Sequence, residues 1–492
     1  MQANGDQRRL FGWAIAVVAA VTLARIVVLV ASPLELYPDE AQYWWWAQTP
    51  DFGYFSKPPL IAWIIRATTI VFGDREWAIR LGMPLLHAGA SLLLFGVARA
   101  AFPKSPPVAF WSALAYLTLP GVSYSSMLAS TDAPLLFFWA LALFAFVRAV
   151  QSSAWRWALL CGLALGLGIL AKYAMLFFLL GMAAVAAISP RVRKFAGGPR
   201  GWSVVAIAAL VVAPNIEWNF AHDFATVAHT QTNAGWVRAD FNPLRLLAFL
   251  AGQFGVFGPL LMGAWLARLY RIAREPDRST EEITLAVLSV PTLALIAIQA
   301  LVAGANANWA ATSYVAAVPL AVAEILTLWP RAILWFSFGL HGLVLVLLWL
   351  VLLSPQAADR LGLGNVFKRE EGWRALSGQV SLACRRGGFS VVAADNRSVT
   401  AELLYYMPRH GPTLRIWDPD IASHNHFDMT MRLTRPVPRT LLVLAPEDAS
   451  EVLATFESSR LIGNVAVPVG GRHVRTMSLF DARDYRGPLP HP

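Results

Sequence analysis

Long apolar runs alternate with short charged loops over the first 353 residues. They fall at 11–32, 78–102, 107–120, 131–150, 157–171, 173–189, 201–215, 244–267, 283–303, 309–328 and 332–353. A bilayer core about 30 Å thick takes about 20 helical residues, so the pattern predicts an α-helical polytopic membrane protein with about 11–12 transmembrane helices. Joined as one helix, 157–171 and 173–189 would run about 50 Å at 1.5 Å per residue. Two short spans turning at Lys172 are expected instead. After residue 353 the periodicity changes. Runs at 390–394, 413–417, 440–444, 464–467 and 474–480 read as short strands, and 399–407 and 449–456 as helices. The expected division is a membrane domain over 1–353, with outer loops 33–77 and 216–243, and a small C-terminal α/β domain over 354–492.

Composition agrees with a bilayer. The 492 residues are 57% hydrophobic and only 14% charged, with 20 Trp, and the mean hydropathy is +0.52. Soluble domains carry about 25% charged residues, and indole rings favour the lipid–water interface. Arg8 and Arg9 precede an apolar stretch longer than the roughly 7–15 residues of a cleaved signal, so a retained first span is expected. The net charge of +10 sits in short loops, which argues for membrane orientation and no nucleic-acid partner. With the N-terminus in the cytoplasm, alternate loops receive Arg8 and Arg9, Arg99 and Lys104, Arg148 and Arg156, the 191–200 cluster, the 268–278 cluster and Arg331. The longer outer loops hold only Lys57, Arg66, Arg75, Arg80, Lys172, Arg238 and Arg245. That is the positive-inside bias, and it puts the C-terminal domain outside. Cys161 and Cys384 are too separated in context to suggest a disulfide framework.

Candidate chemistry gathers on the outer side. Asp39 and Glu40, in Tyr37-Pro38-Asp39-Glu40-Ala41-Gln42-Tyr43, follow the first span; on a helix they point about 100° apart and need not share a role. A plain helix cap is the alternative for the pair. Lys57, in Tyr54-Phe55-Ser56-Lys57-Pro58-Pro59, suits a lipid phosphate, or simply snorkels to the interface. Asp132 opens the fourth span and Lys172 lies between two others; ionisable groups at span ends facing a cavity are functional candidates. Arg25, inside the first span, calls for a structural partner. His222 and Asp223, with His229, offer a ligand or base. Their spacing, like that of His424-Asn425-His426-Phe427-Asp428, is loose for a metal. No cofactor is specified, although a divalent metal is compatible with such residues.

These motifs, with Phe72-Gly73-Asp74, Arg80-Leu81, Ser130-Thr131-Asp132-Ala133-Pro134, Trp218-Asn219 and Ala307-Asn308-Trp309, resemble the polyprenyl-phosphate-sugar-dependent glycosyltransferases of the GT-C fold. That family includes protein O-mannosyltransferases and the bacterial aminoarabinose–lipid A transferase. Asn396-Arg397 and Asn425-His426-Phe427-Asp428 extend the likeness into the C-terminal domain. The resemblance implies a bacterial inner-membrane enzyme that moves a sugar from undecaprenyl phosphate to a periplasmic acceptor: lipopolysaccharide, lipid A, another glycan or protein. It implies Asp39 as principal catalytic carboxylate, with Glu40 and Asp132 as supporting acids. Lys57, Lys172, Arg80, Tyr54, His222 and Asp223 form the implied substrate-binding set. Asp39 would deprotonate an acceptor hydroxyl, and the lysines would offset charge on the departing phosphate, with inversion at the anomeric carbon. A phosphate acceptor would need no base. The competing class, a non-enzymatic lipid or solute transporter, predicts repeats and interrupted helices at the midplane.

Overall fold

The computed structural model describes residues 2–152, 154–235, 240–275, 278–362, 364–418, 423–447, 449–471 and 473–487; Arg238 lies outside them. Each of the eleven apolar segments is helical. Among the described residues, seven helices are long and apolar enough to cross a membrane: Gln7–Ala31, Glu76–Ala101, Asp132–Gln151, Pro199–Ala221, Thr280–Ala303, Ala307–Leu328 and Arg331–Leu353. The predicted span 244–267 is corrected to two helices, Pro243–Phe257 and Pro259–Arg274, bent by 104°. Gly258 between them has φ +89°, and the His341 ring stands where a Cβ would be. Pro259 then has no N–H for the preceding helix. The outer loop 33–77 also holds an unanticipated apolar helix, Leu60–Phe72. At 13 residues it is about 20 Å long, too short to cross alone.

The chain divides into two compact units. The first comprises residues 1–30, 57–64 and 80–349, with a core that includes Leu94, Trp139, Phe146, Phe178, Phe257, Trp265 and Tyr314. Helix Trp155–Ala171 lies directly against Pro199–Ala221. A Cβ on Gly162 would meet the Val204 carbonyl oxygen at 2.7 Å, and one on Gly166 the Val211 Cβ at 2.6 Å. Small residues four apart allow this close approach. The helix ends as expected at Lys172, which is extended (φ −163°, ψ 133°) before the short 3₁₀ turn Tyr173–Met175 and helix Leu176–Ile188. Among the described residues, buried Arg25 pairs with no carboxylate: its Nη2 donates to the Leu117 carbonyl at 2.6 Å and Ser123 Oγ at 3.4 Å, while Nε and Nη1 have no hydrogen-bond partner.

The second unit comprises residues 31–56, 65–79 and 350–492; the segments before and after Leu60–Phe72 thus pack with the C-terminal part of the chain. Its sheet has five strands in the order β2-β1-β3-β5-β4: β1 Val391–Ala394, β2 Thr413–Ile416, β3 Arg439–Leu444, β4 Phe456–Pro468 and β5 Val474–Tyr485. β1 is parallel to β2 and β3, while β3–β5 and β5–β4 are antiparallel. Strand alternation divides two cores. Val392, Leu441 and Val443 pack with Leu376, Val380 and Leu403, and Ala393, Leu442 and Leu444 with Trp417, Val452 and Tyr485. The predicted strands near 464–467 and 474–480 are parts of the longer β4–β5 hairpin. Helices Pro355–Arg360, Trp373–Gly387 and His426–Met431 were not anticipated.

Candidate functional site

In the second unit, the first outer segment forms helix Pro38–Gln48, with Pro38 in its first turn. Proline there presets φ and sacrifices an N–H the helix would leave unpaired. Glu40 is fully buried, and its Oε2 accepts from the Tyr37 N–H at 2.9 Å. It therefore closes its own helix end, and Asp39, a third of a turn away, faces elsewhere. Asp39 Oδ1 accepts from Arg397 Nη1 at 2.8 Å, and the same Nη1 donates to Gln42 Oε1 at 2.7 Å. Both charged side chains are 38% exposed. Arg397 opens helix Arg397–Tyr406, which Asn396 caps by accepting from the Ser398 N–H at 2.8 Å. This helix links parallel strands β1 and β2, so Arg397 stands at the carboxyl end of β1, where open α/β sheets hold ligands.

Aromatic packing fixes the rest of this helix. Trp46 stacks on Tyr54 with centroids 4.5 Å apart, and His426 meets both rings edge-on at 5.4 and 5.5 Å. Tyr54 is buried, its hydroxyl donating to the Trp46 carbonyl at 3.0 Å and accepting from the Asp51 N–H at 3.0 Å. Burial pushes its phenol further up and keeps it neutral. Trp44 donates to Asp74 Oδ1 at 2.7 Å, and Asp74 also pairs with Arg409. The His424–Asp428 segment forms a cap: Asp428 accepts from the His424 N–H at 2.8 Å and the Asn425 N–H at 2.9 Å. Burial, then the adjacent Asp418, raises its carboxyl to about 6.

In the first unit, Asp132 opens helix Asp132–Gln151. Its Oδ1 pairs with Lys172 Nζ at 2.7 Å, and its Oδ2 accepts from Asn308 Nδ2 at 2.6 Å. The carboxylate is 14% and the ammonium 24% exposed, so the pair is sheltered without being sealed. The charge of Lys57 also acts on Asp132. Lys172 is held in place by the glycine contact of its helix and by the break that follows it. Asn308 comes from the 3₁₀ turn Ala307–Ala310.

The other expected residues lie apart from this pair. Arg80 is 4% exposed at the end of helix Glu76–Arg80. His222 stacks on Trp218 at 4.0 Å, and its Nδ1 is 2.8 Å from the Trp218 carbonyl. Asp223 is exposed in a left-handed turn with φ 52°. Among the described residues, neither bonds to Asp132 or Lys172, and no group of three or more His, Cys, Asp or Glu is placed to hold a metal. Cys161 and Cys384 are buried and free. Arg397, which bonds to Asp39 and Gln42, and Asn308, which bonds to Asp132, were not singled out from the sequence, nor was Gln42. Their motifs were visible, but the partners are 358, 355 and 176 positions distant, with nothing local to mark the pairing.

Residues 56–218 match the family described as dolichyl-phosphate-mannose-protein mannosyltransferase. The lipid A galacturonosyltransferase RgtD of Rhizobium johnstonii is 36% identical over 466 residues, covering 94% of this chain and 96% of that protein. The lipopolysaccharide core galacturonosyltransferase RgtA of the same organism is 32% identical over 204 residues, 41% of this chain and 40% of RgtA. The crystal structure of ArnT from Cupriavidus metallidurans bound to undecaprenyl phosphate shares the fold, with a TM-score of 0.65 and 17% identity over 96% of this chain and 98% of ArnT.

Proposed function

Since the chain belongs to the polyprenyl-phosphate-sugar-dependent glycosyltransferases of the GT-C fold, we propose that it transfers a galacturonic acid residue from undecaprenyl phosphate to lipid A. The reaction takes place on the periplasmic face of the bacterial inner membrane, with the N-terminus cytoplasmic and the β-sheet periplasmic. The sugar class follows the full-length likeness to a lipid A galacturonosyltransferase. The geometric observation that carries it is Arg397. Among the described residues its hydrogen bonds run through Nη1 alone, to Asp39 and Gln42. The Nε–Nη2 edge is left to grip a planar carboxylate, the feature that separates a uronic acid from a neutral hexose.

Asp39 is the base that takes the proton from the acceptor hydroxyl. Arg397 holds it in a fixed orientation, and Glu40 and Tyr54 are positioning residues that hold its helix. Lys57 and Lys172 offset charge developing on the departing phosphate, with Asp132 and Asn308 aiming Lys172. A phosphate leaves without protonation, so one displacement with inversion suffices and no general acid is assigned. Arg80 supports its helix from a buried position, while half-buried His222 and exposed Asp223 offer polar contacts to the acceptor glycolipid.

Purified protein incubated with undecaprenyl-phosphate galacturonate and lipid A should release free undecaprenyl phosphate and add one uronic acid to the lipid by mass. Equal or faster transfer from a neutral-hexose or aminopentose donor refutes the donor assignment. A C-terminal alkaline phosphatase fusion should be active; an inactive one overturns the orientation.

A further inference from the structure

The first unit carries a cavity at the opposite end of the helix that Asp132 begins. Arg148 lies 16 residues along that helix, about 24 Å from Asp132 at 1.5 Å per residue. The cavity is open and holds about 870 Å³, within the roughly 300–1,000 Å³ typical of ligand sites. Arg8, Arg99 and Arg148 bring positive charge to it, and Phe11, Phe95 and Trp157 supply aromatic wall. Phe11 and Phe95 touch, with ring centroids 5.0 Å apart, and Arg148 lies 5.5 Å over the Trp157 ring.

No carboxylate among the described residues lines the cavity. Among the described residues, exposed Arg8 and Arg99 have no ion-pair partner, and Arg148 hydrogen-bonds only to neutral Gln151, at 3.2 Å. Gln151 also donates to Glu281 at 3.0 Å, but that acid is shared with Arg191 at 3.6 Å. Three guanidinium groups around one hollow repel one another unless an anion joins them. Basic residues scattered at span ends serve membrane orientation. These instead rim a concave space with apolar walls that continue along the spans.

We propose that this cavity is a binding site for an anionic phospholipid, its phosphodiester held by Arg8, Arg99 and Arg148 and its acyl chains laid against Phe11, Phe95 and Trp157. Such a site ties the enzyme to anionic lipid of one leaflet, a helix length from the Asp132–Lys172 pair. Basic hollows between spans suit phosphate headgroups, and each arginine near the surface contributes about 1 kcal/mol, or about fivefold in affinity.

The test is native mass spectrometry of the full-length protein, released from nanodiscs of equal parts phosphatidylcholine and phosphatidylglycerol. The wild type should retain phosphatidylglycerol selectively, and Arg99→Gln and Arg148→Gln should each lower retention about fivefold. Leu93→Trp, which fills the hollow without altering charge, should lower it as well. Equal retention of the zwitterionic lipid overturns the proposal, as does undiminished retention in the arginine variants. So does added undecaprenyl phosphate displacing the phospholipid at equal concentration. Wild-type retention in Leu93→Trp would reduce the three arginines to surface attraction and equally overturn the site.

Discussion

Replacing Arg397 by glutamine tests the proposal that this side chain reads the class of sugar. A guanidinium–carboxylate contact contributes about 1.5–3 kcal/mol when charge-assisted. The Arg397 side chain is 38% exposed, so solvent screening puts the expected loss at the lower end, about 1.5 kcal/mol, or about tenfold. The informative quantity is a ratio: kcat/KM for undecaprenyl-phosphate galacturonate over kcat/KM for the galactose counterpart, which differs only in bearing a hydroxymethyl group for the carboxylate. Losing the hold on Asp39 slows both donors alike and cancels; losing the grip on the sugar carboxylate does not. The ratio should fall about tenfold in Arg397→Gln. It should fall less in Arg397→Lys, which keeps a charge but not the planar fork. If both donors decline in step and the ratio is unchanged, Arg397 acts through Asp39 alone and the uronate reading loses its geometric support.

Asp39→Asn should abolish transfer while leaving a folded, membrane-inserted protein by size-exclusion profile; near-normal turnover removes Asp39 from the mechanism. Lys172→Gln removes the ammonium paired with the sheltered Asp132 carboxylate, leaving it the neutral Asn308 amide and the charge of Lys57, and should cost about 2–3 kcal/mol in unfolding free energy, below the about 3–5 kcal/mol of a fully buried pair. The double variant Asp132→Asn/Lys172→Gln should recover part of that loss, and a double variant worse than the single shows the pair is not where the cost arises. For Asp428, the carboxyl lies at about 6 when folded against an ordinary 3.8. Between those values the folded state keeps a proton the unfolded chain releases, so stability falls as pH rises through that window and levels above it. Thermal unfolding should show that decline in the wild type and not in Asp428→Asn; parallel profiles refute the assignment.

The membrane class, most of the apolar helices and the strands were readable from the primary structure because each depends on neighbours in the chain. A run of apolar residues partitions into lipid wherever it is placed, and alternation sets a strand face whatever its partner. The break at Lys172 followed from length alone. Leu60–Phe72 escaped because Arg66 interrupts a run already too short to span, and the bend at Gly258 because apolar residues flank it on both sides.

What the sequence by itself determined is therefore the solvent this chain folds in and the acids and bases available to it: Asp39, Glu40, Lys57, Asp132 and Lys172 stood out as ionisable groups at the ends of spans. Tertiary structure alone decided their partners. It turned Glu40 back onto its own helix, joined Asp132 to both Lys172 and Asn308, and brought Arg397 across 358 positions to Asp39. Ion pairs act over a few ångströms of space and are indifferent to distance along the chain, so no local pattern could announce them.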